Sequence, residues 1–163
     1  NLNRNLQSVL NPDGTGFEHR EQWFKTGDKL MQQQNDYDKQ VFNGDTGRIV
    51  FCDPKSREIH VSFDQGIVRY TAKEIEQLAL AYAISVHKSQ GSEYPALILP
   101  LTTHHYMMLQ RNLLYTALTR GKQLVILIGM EKAVAMAVKN EEARTRHTSL
   151  PRHFREMKEL MTL

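Results

Sequence analysis

An α/β fold with parallel strands, joined to a small antiparallel β-barrel, is predicted by a change of period along the chain and by the turn residues around it. Up to about residue 78 short β-like runs are separated by hairpin-type turns, whereas beyond it apolar runs alternate with helical stretches. Strands alternating with helices point to crossover units and a parallel sheet. A chain of 163 residues, 40% hydrophobic and 24% charged, has an ordinary globular composition and is long enough to bury a core.

In order, Leu2, Leu6, Val9 and Leu10 share one face of a predicted amphipathic helix over residues 2–10, which Asn11-Pro12-Asp13-Gly14 stops. β-like runs follow at 29–34, 47–51, 58–63 and 67–71. They are separated by Asn43-Gly44-Asp45, Asp53-Pro54-Lys55-Ser56 and Asp64-Gln65-Gly66, turn groups that suit the positive φ of tight hairpins. The result is a small barrel of SH3 type. Tyr37, Phe42, Phe51, Phe63 and Tyr70 alternate like core positions, which predicts no exposed stacking aromatics. Apolar strands are then predicted at 79–86, 96–101 and 123–128. Between the last two, Tyr106, Leu109, Leu113, Leu114, Ala117 and Leu118 predict one helix ending near Arg120, with Gly121 as its C-cap. The tail from 131 to 163 holds two helical patterns broken at Ser149-Leu150-Pro151. The domains expected are a helix and linker (1–23), the barrel (24–77) and the α/β domain with its helical tail (78–163).

Several function classes fall away. The longest apolar runs are far shorter than the roughly 20 residues of a membrane span, so no membrane partner is expected. The lone Cys52 has no partner for an internal disulfide, no signal pattern opens the chain, and a cytoplasmic setting follows by default. The lack of an initiating methionine, with an opening in mid-helix, predicts a fragment of a longer chain. Net charge of +3 is compatible with phosphate backbones without demonstrating them. His104-His105 cannot chelate together, because adjacent side chains diverge, so no metal site is expected.

The chemistry concentrates in Ala83-Ile84-Ser85-Val86-His87-Lys88-Ser89-Gln90-Gly91-Ser92-Glu93, where an apolar strand runs into a polar turn. Strand ends are where α/β proteins bind ligands. Gly91 lets backbone approach a ligand, His87, Lys88 and Ser89 can meet phosphate oxygens, and Gln90 and Glu93 can bond a ribose. A second stretch, Arg111-Asn112-Leu113-Leu114-Tyr115-Thr116-Ala117-Leu118-Thr119-Arg120, ends in an always-charged guanidinium. Alone, Arg120 reads as a helix-end cation complementing the dipole.

The first stretch resembles motif V of superfamily 1 helicases, with its Ser-Val-His-Lys-x-Gln-Gly-x-Glu turn, and the second resembles motif VI, with its Leu-x-Tyr-Thr-Ala-Leu-Thr-Arg core. Lys29-Leu30-Met31-Gln32-Gln33-Gln34-Asn35-Asp36-Tyr37 and Val41-Phe42-Asn43-Gly44-Asp45-Thr46-Gly47 resemble the β-barrel inserted before motif V in RecD-like helicases (exodeoxyribonuclease V alpha chain-like), a pattern shared with conjugation helicase-relaxases. Residues 2–12 resemble the short helix after motif IV, whose arginine is missing. The resemblance covers roughly residues 1–130.

It implies a second RecA-like motor domain, P-loop NTPase-like without a P-loop of its own, carrying an inserted SH3-like barrel. It also implies an ATP-dependent 5′–3′ DNA helicase of recombination and repair. Ser85, His87, Lys88 and Ser89 would meet single-stranded DNA, and Gln90, Gly91, Glu93 and Tyr115 would border ATP. Arg120 would be the catalytic arginine finger, a role guanidinium chemistry suits. No Gly-Lys-Ser/Thr loop is present. ATP and Mg2+ would therefore be held with an N-terminal motor domain of the same polypeptide, neither bound tightly by this chain, which alone should be inactive. Subunits of a nuclease complex are further candidate partners. A stand-alone nucleic-acid-binding or adaptor module, and part of a conjugative relaxase-helicase, stay open as alternatives.

Overall fold

The computed structural model describes residues 1–141, so the second helical pattern of the tail lies outside the described residues. The chain forms two compact units that divide between Gln90 and Gly91.

The first unit opens with α1 (Leu2–Leu10), capped by the Asn1 side chain, which accepts from Asn3 N. Its strands are β1 (Gly16–His19), β2 (Gln22–Lys25), β3 (Lys29–Gln32), β4 (Thr46–Asp53), β5 (Glu58–Phe63), β6 (Gly66–Tyr70) and β7 (Leu78–Leu80). The antiparallel sheet runs β6-β5-β4-β3-β7, with β1-β2 a separate hairpin. Alternation in β5 sends Ile59, Val61 and Phe63 inward, where they join Leu30, Val41, Ile49, Tyr70 and Ile75 in one core. Each such aliphatic side chain, fully buried, contributes roughly 1.5–3 kcal/mol. Burial pushes the Cys52 thiol up to about 11, so it stays protonated and unreactive at neutral pH.

The hairpin β1-β2 falls where a linker is expected. Its turn is Arg20-Glu21, with φ values of 47° and 62°. Tight hairpin turns of this kind usually advertise themselves with Asn or Gly, and here neither residue does. β7 corrects a second expectation: residues 78–80 are not the start of a parallel strand over 79–86. They pair antiparallel with β3, Leu30 opposite Leu80 and Gln32 opposite Leu78, because Leu78 and Leu80 fill the barrel core. The aromatic alternation also misleads in part: Phe63 and Tyr70 are buried, but Tyr37, Phe42 and Phe51 are exposed. Phe51 follows a register shift in the β4-β5 ladder, which re-aims side chains.

α1 is amphipathic, but it is turned the unexpected way. Leu2, Val9 and Leu10 face solvent, whereas Gln7 is buried. The polar row at i, i+4 and i+8 does the docking. Asn3 exchanges two hydrogen bonds with the Ala83 main chain. Gln7 Nε2 donates to Trp23 O and to Asp28 Oδ2. Asn11 Nδ2 donates to Thr26 O and Asp28 Oδ1. The barrel surface under the helix presents main-chain acceptors and the buried Asp28 carboxylate, and the amide face of α1 donates to them.

The second unit holds β8 (Tyr94–Leu101), α2 (Arg111–Leu118), β9 (Gly121–Gly129) and α3 (Glu131–Lys139). β8 and β9 pair in parallel, Ala96 opposite Leu124 through Leu101 opposite Gly129, with α2 as the crossover. Leu109, Leu114, Ala133 and Ala137 form its core. Ile98, Leu124, Ile126, Leu127 and Ile128 are exposed, although strands of parallel sheets are normally covered on both faces.

The single helix expected from Tyr106 onward is two pieces. A 3-10 segment (Thr103–Met108) contains His105 at φ −99°, ψ 36°. Leu109 and Gln110 are then non-helical before α2 begins. Buried Leu109 anchors the break. α2 ends at Leu118 with Thr119 as its cap. Gly121 is therefore not a left-handed cap but the first residue of β9, where a Cβ would meet Val125 Cγ2 at 2.5 Å.

Candidate functional site

Within the first unit the segment leaving β7 is tied down residue by residue. Ala81 N donates to Lys29 O at 2.8 Å. Tyr82 Oη donates to Asp28 Oδ1 at 2.7 Å, and burial, reinforced by that carboxylate, pushes the phenol up to about 12. Ala83 is held by Asn3. A 3-10 turn (His87–Ser89) follows. Ser85 supports it through Oγ, which accepts from Lys88 N at 3.4 Å.

Ser85, His87 and Lys88 are exposed, as is Gln90. Ser89 is buried, and its hydroxyl donates to Val86 O at 2.7 Å, so it shapes the turn from inside. Lys88 Nζ donates to Gln33 Oε1 at the end of β3, a partner no sequence motif announces.

Asp28 is the centre of this arrangement. Fully buried, it accepts from Gln7 Nε2 at 2.5 Å, Asn11 Nδ2 at 2.7 Å, Lys25 N at 2.7 Å and Tyr82 Oη at 2.7 Å. It joins α1, the β2-β3 turn and the segment that leads to His87. Asp28 is not legible in the sequence, because a lone Gly-Asp reads as a turn; its one signal is an aspartate just ahead of an apolar strand.

The second unit carries the other half of the candidate residues. Gly91 takes φ +82°, and no atom lies within 4 Å of where a Cβ would stand, so its backbone is open to a ligand. Arg120 Nη1 donates to Ser92 O at 3.3 Å, Nε to Thr116 O at 3.3 Å and Nη2 to Thr119 Oγ1 at 3.3 Å. Tyr94 N donates to Arg120 O at 2.8 Å. Glu93 pairs with Lys122 at 2.8 Å. The hydrogen bond from Lys122 chiefly, with the nearby Arg120 charge, holds its carboxyl below the usual range.

Gly91, Glu93 and Arg120 are thus brought together. Tyr115 is 69% exposed and lines a separate open depression with Arg111, Asn112, Asn140 and Glu141. Lys122, two residues past Arg120, carries no sequence signal of its pairing with Glu93.

Glycine backbone, guanidinium and carboxylate side by side fit one wall of a nucleotide site. Among the described residues no group of three or more His, Cys, Asp or Glu side chains could hold a metal ion. No helix among them is long and apolar enough to cross a membrane.

Comparison with known proteins bears on the family and the fold. Residues 2–63 match the family model of the ATP-dependent RecD-like DNA helicase SH3 domain, and residues 80–128 match that of the UvrD-like helicase C-terminal domain. The chain is 35% identical over 154 residues to the ATP-dependent RecD2 DNA helicase of Deinococcus radiodurans, covering 94% of this chain and 21% of that protein. It is 32% identical over 142 residues to the RecBCD enzyme subunit RecD of Mycobacterium tuberculosis, covering 87% of this chain and 24% of the relative. The chain therefore spans about a fifth to a quarter of the length of these relatives.

Among solved structures, Pif1 helicase from Bacteroides in complex with ADP-AlF3 and ssDNA superposes with a TM-score of 0.59 at 17% identity, covering 96% of this chain and 43% of that one. Pif1 helicase from Candida albicans gives 0.56 at 15%, covering 95% and 46%. These likenesses show the fold, a RecA-like α/β domain, and the matched family model gives the SH3-like barrel. With two family models together matching more than half of its residues, and relatives aligned along nearly all of it, the chain belongs to the RecD-like superfamily 1 DNA helicases.

Proposed function

We propose that this chain is the C-terminal motor portion of an ATP-dependent 5′–3′ DNA helicase of recombination and repair. Residues 24–77 act as the inserted barrel and residues 78–163 as motor domain, although residues 78–90 pack with the barrel unit. The observation that carries the reading is the grouping of Gly91, Glu93 and Arg120 in one unit.

In this reading Gln90, Gly91 and Glu93 border ATP, and Arg120 turns from Ser92 O toward the transferring phosphoryl group. Phosphoryl transfer is promoted chiefly by positioning and charge stabilisation. Tyr115, exposed on α2 of the same unit, would border the nucleotide as well. The phosphate loop and the Mg2+ ligands belong to an N-terminal motor domain of the same polypeptide. Single-stranded DNA lies against Ser85, His87 and Lys88, with Ser89 keeping the turn in shape, and subunits of a nuclease complex are further candidate partners. Closure of the nucleotide cleft would shift the turn along the strand, converting hydrolysis into steps.

The test is single-strand-stimulated ATPase activity of this chain beside the intact polypeptide. Turnover is expected only in the intact protein; no turnover in either would leave a nucleic-acid-binding adaptor. A second expectation concerns the turn. Replacing His87 and Lys88 by alanine in the intact protein should weaken strand binding and lower the slope of log affinity against log salt by about 0.7, the value for one phosphate contact on a single strand. Equilibrium titration at several salt concentrations measures both. An unchanged slope would make the turn purely structural.

A further inference from the structure

Tyr37 and Phe42 project from the lip between β3 and β4, 73% and 43% exposed, their ring centroids 5.9 Å apart in an edge-to-face pair. Hydrogen bonds within the lip hold its backbone. Asp36 and Val41 exchange main-chain hydrogen bonds, and Val41 is fully buried beneath them. The Asp36 carboxylate accepts from Lys39 N, and that of Asp45 from Phe42 N. Asn43 N donates to Asn35 Oδ1 at 2.9 Å, and Asn35 Nδ2 to Tyr37 Oη at 3.3 Å. Gln40 is held at φ 57°, an uncommon conformation for a residue with a side chain. A rigid, locally strained loop that holds two aromatic rings in water is preorganised for contact, with little entropy left to lose on binding.

The lip begins at Gln33, the residue that accepts from Lys88 Nζ. It therefore adjoins the His87–Ser89 turn within the same unit. Its charges say which part of a strand it would meet. Lys39 is the one cation of residues 33–45, and it is committed to Glu74 at 2.8 Å, to Arg69 O and to the face of Tyr70. Asp36, Asp38 and Asp45 remain as anions. Phosphates are repelled there and attracted to Lys88, so a strand lying along both would turn its bases to the lip. Aromatic rings stack on unpaired bases of any sequence.

We propose that Tyr37 and Phe42 are a stacking step for unpaired bases of the strand whose phosphates meet His87 and Lys88. This rests on the strand-contact reading of that turn. Both rings are exposed, so their replacement leaves the barrel core intact.

The experiment is fluorescence anisotropy of the intact polypeptide with a labelled oligothymidylate, across salt concentrations. The double variant Tyr37→Ala/Phe42→Ala should bind at least about 5-fold more weakly, the low end for loss of one stacked base, with its salt slope unchanged. Tyr37→Phe/Phe42→Tyr should keep the wild-type affinity. A backbone carrying abasic sites should bind wild type and the alanine variant alike.

Unchanged affinity of the alanine variant would overturn the stacking step and leave the lip as a protein-docking surface, while a slope change confined to His87→Ala/Lys88→Ala would show that the turn reading had survived. A lowered slope in the aromatic variant would place phosphates on the lip and equally overturn the proposal. Loss of effect in every variant, the turn included, would remove both readings together.

Discussion

Arg120→Ala in the intact polypeptide is expected to lower ATP turnover by roughly 10³- to 10⁵-fold, the range for loss of an arginine finger. That corresponds to about 4–7 kcal/mol of transition-state stabilisation. Folding should survive. α2 is anchored by Leu114 and Ala117, and the guanidinium's own contacts are three bonds of 3.3 Å to Thr116, Ser92 and Thr119. Single-strand affinity should barely change, because no contact attributed to the strand involves this residue.

Arg120→Lys is expected to fail almost as badly. A lysine retains the charge but not the planar fork that reaches several oxygens at once. Steady-state hydrolysis with saturating single-stranded DNA is the measurement. Unimpaired turnover in either variant would return Arg120 to the bland role of a helix-end cation bonded to Ser92.

The second large effect lies far from that chemistry. Asp28→Ala should destabilise the first unit by about 3–5 kcal/mol, because it strands four donors that now share one buried carboxylate. Asp28→Asn is the sharper variant. Asp28 Oδ1 accepts from Asn11 and Tyr82, and Oδ2 accepts from Gln7 and Lys25 N. An amide replaces one of these oxygens by a donor: on the Oδ2 side it would face Gln7 Nε2 and Lys25 N, whereas on the Oδ1 side it faces Asn11 Nδ2 alone, since the Tyr82 hydroxyl can turn to accept. The asparagine variant should therefore lie between wild type and alanine, with its amide on the Tyr82 side and Asn11 the one donor left facing another. Urea unfolding followed by Trp23, the single tryptophan, measures both. A stable asparagine variant would mean that these four bonds contribute little.

Much of this architecture was legible in the sequence. Four barrel strands, the parallel pair β8-β9 and the helices α1 and α3 follow from period and turn chemistry. The family is legible in two stretches, residues 83–93 and 111–120, whose order of residues carries the resemblance. What stayed hidden was decided by pairing rather than pattern. The β1-β2 hairpin turns on Arg20-Glu21, which carry no turn signature. β7 lies in the barrel sheet and not in the expected parallel one, because a short apolar run cannot say which partner it will find. Ser89 matched the motif, yet its hydroxyl is spent on Val86; a motif records identity and not the direction a side chain takes. Asp28, Gln33 and Lys122 are each defined by a partner distant in the sequence or on another element, so no local window contains them.

The reversed docking of α1 has a thermodynamic signature of its own. A helix seated by amides, with Leu2, Val9 and Leu10 already in water, uncovers little apolar surface when it lifts away. Its release should carry a small heat-capacity change and a shallow dependence on denaturant. Amide hydrogens of residues 5–10 would then exchange through a local opening that urea scarcely accelerates, while those of β4 and β5 wait for the barrel to unfold as a whole. In such a molecule the element that orders Ala83 opens on a scale set by amide hydrogen bonds, those to Asp28 above all, rather than by apolar burial.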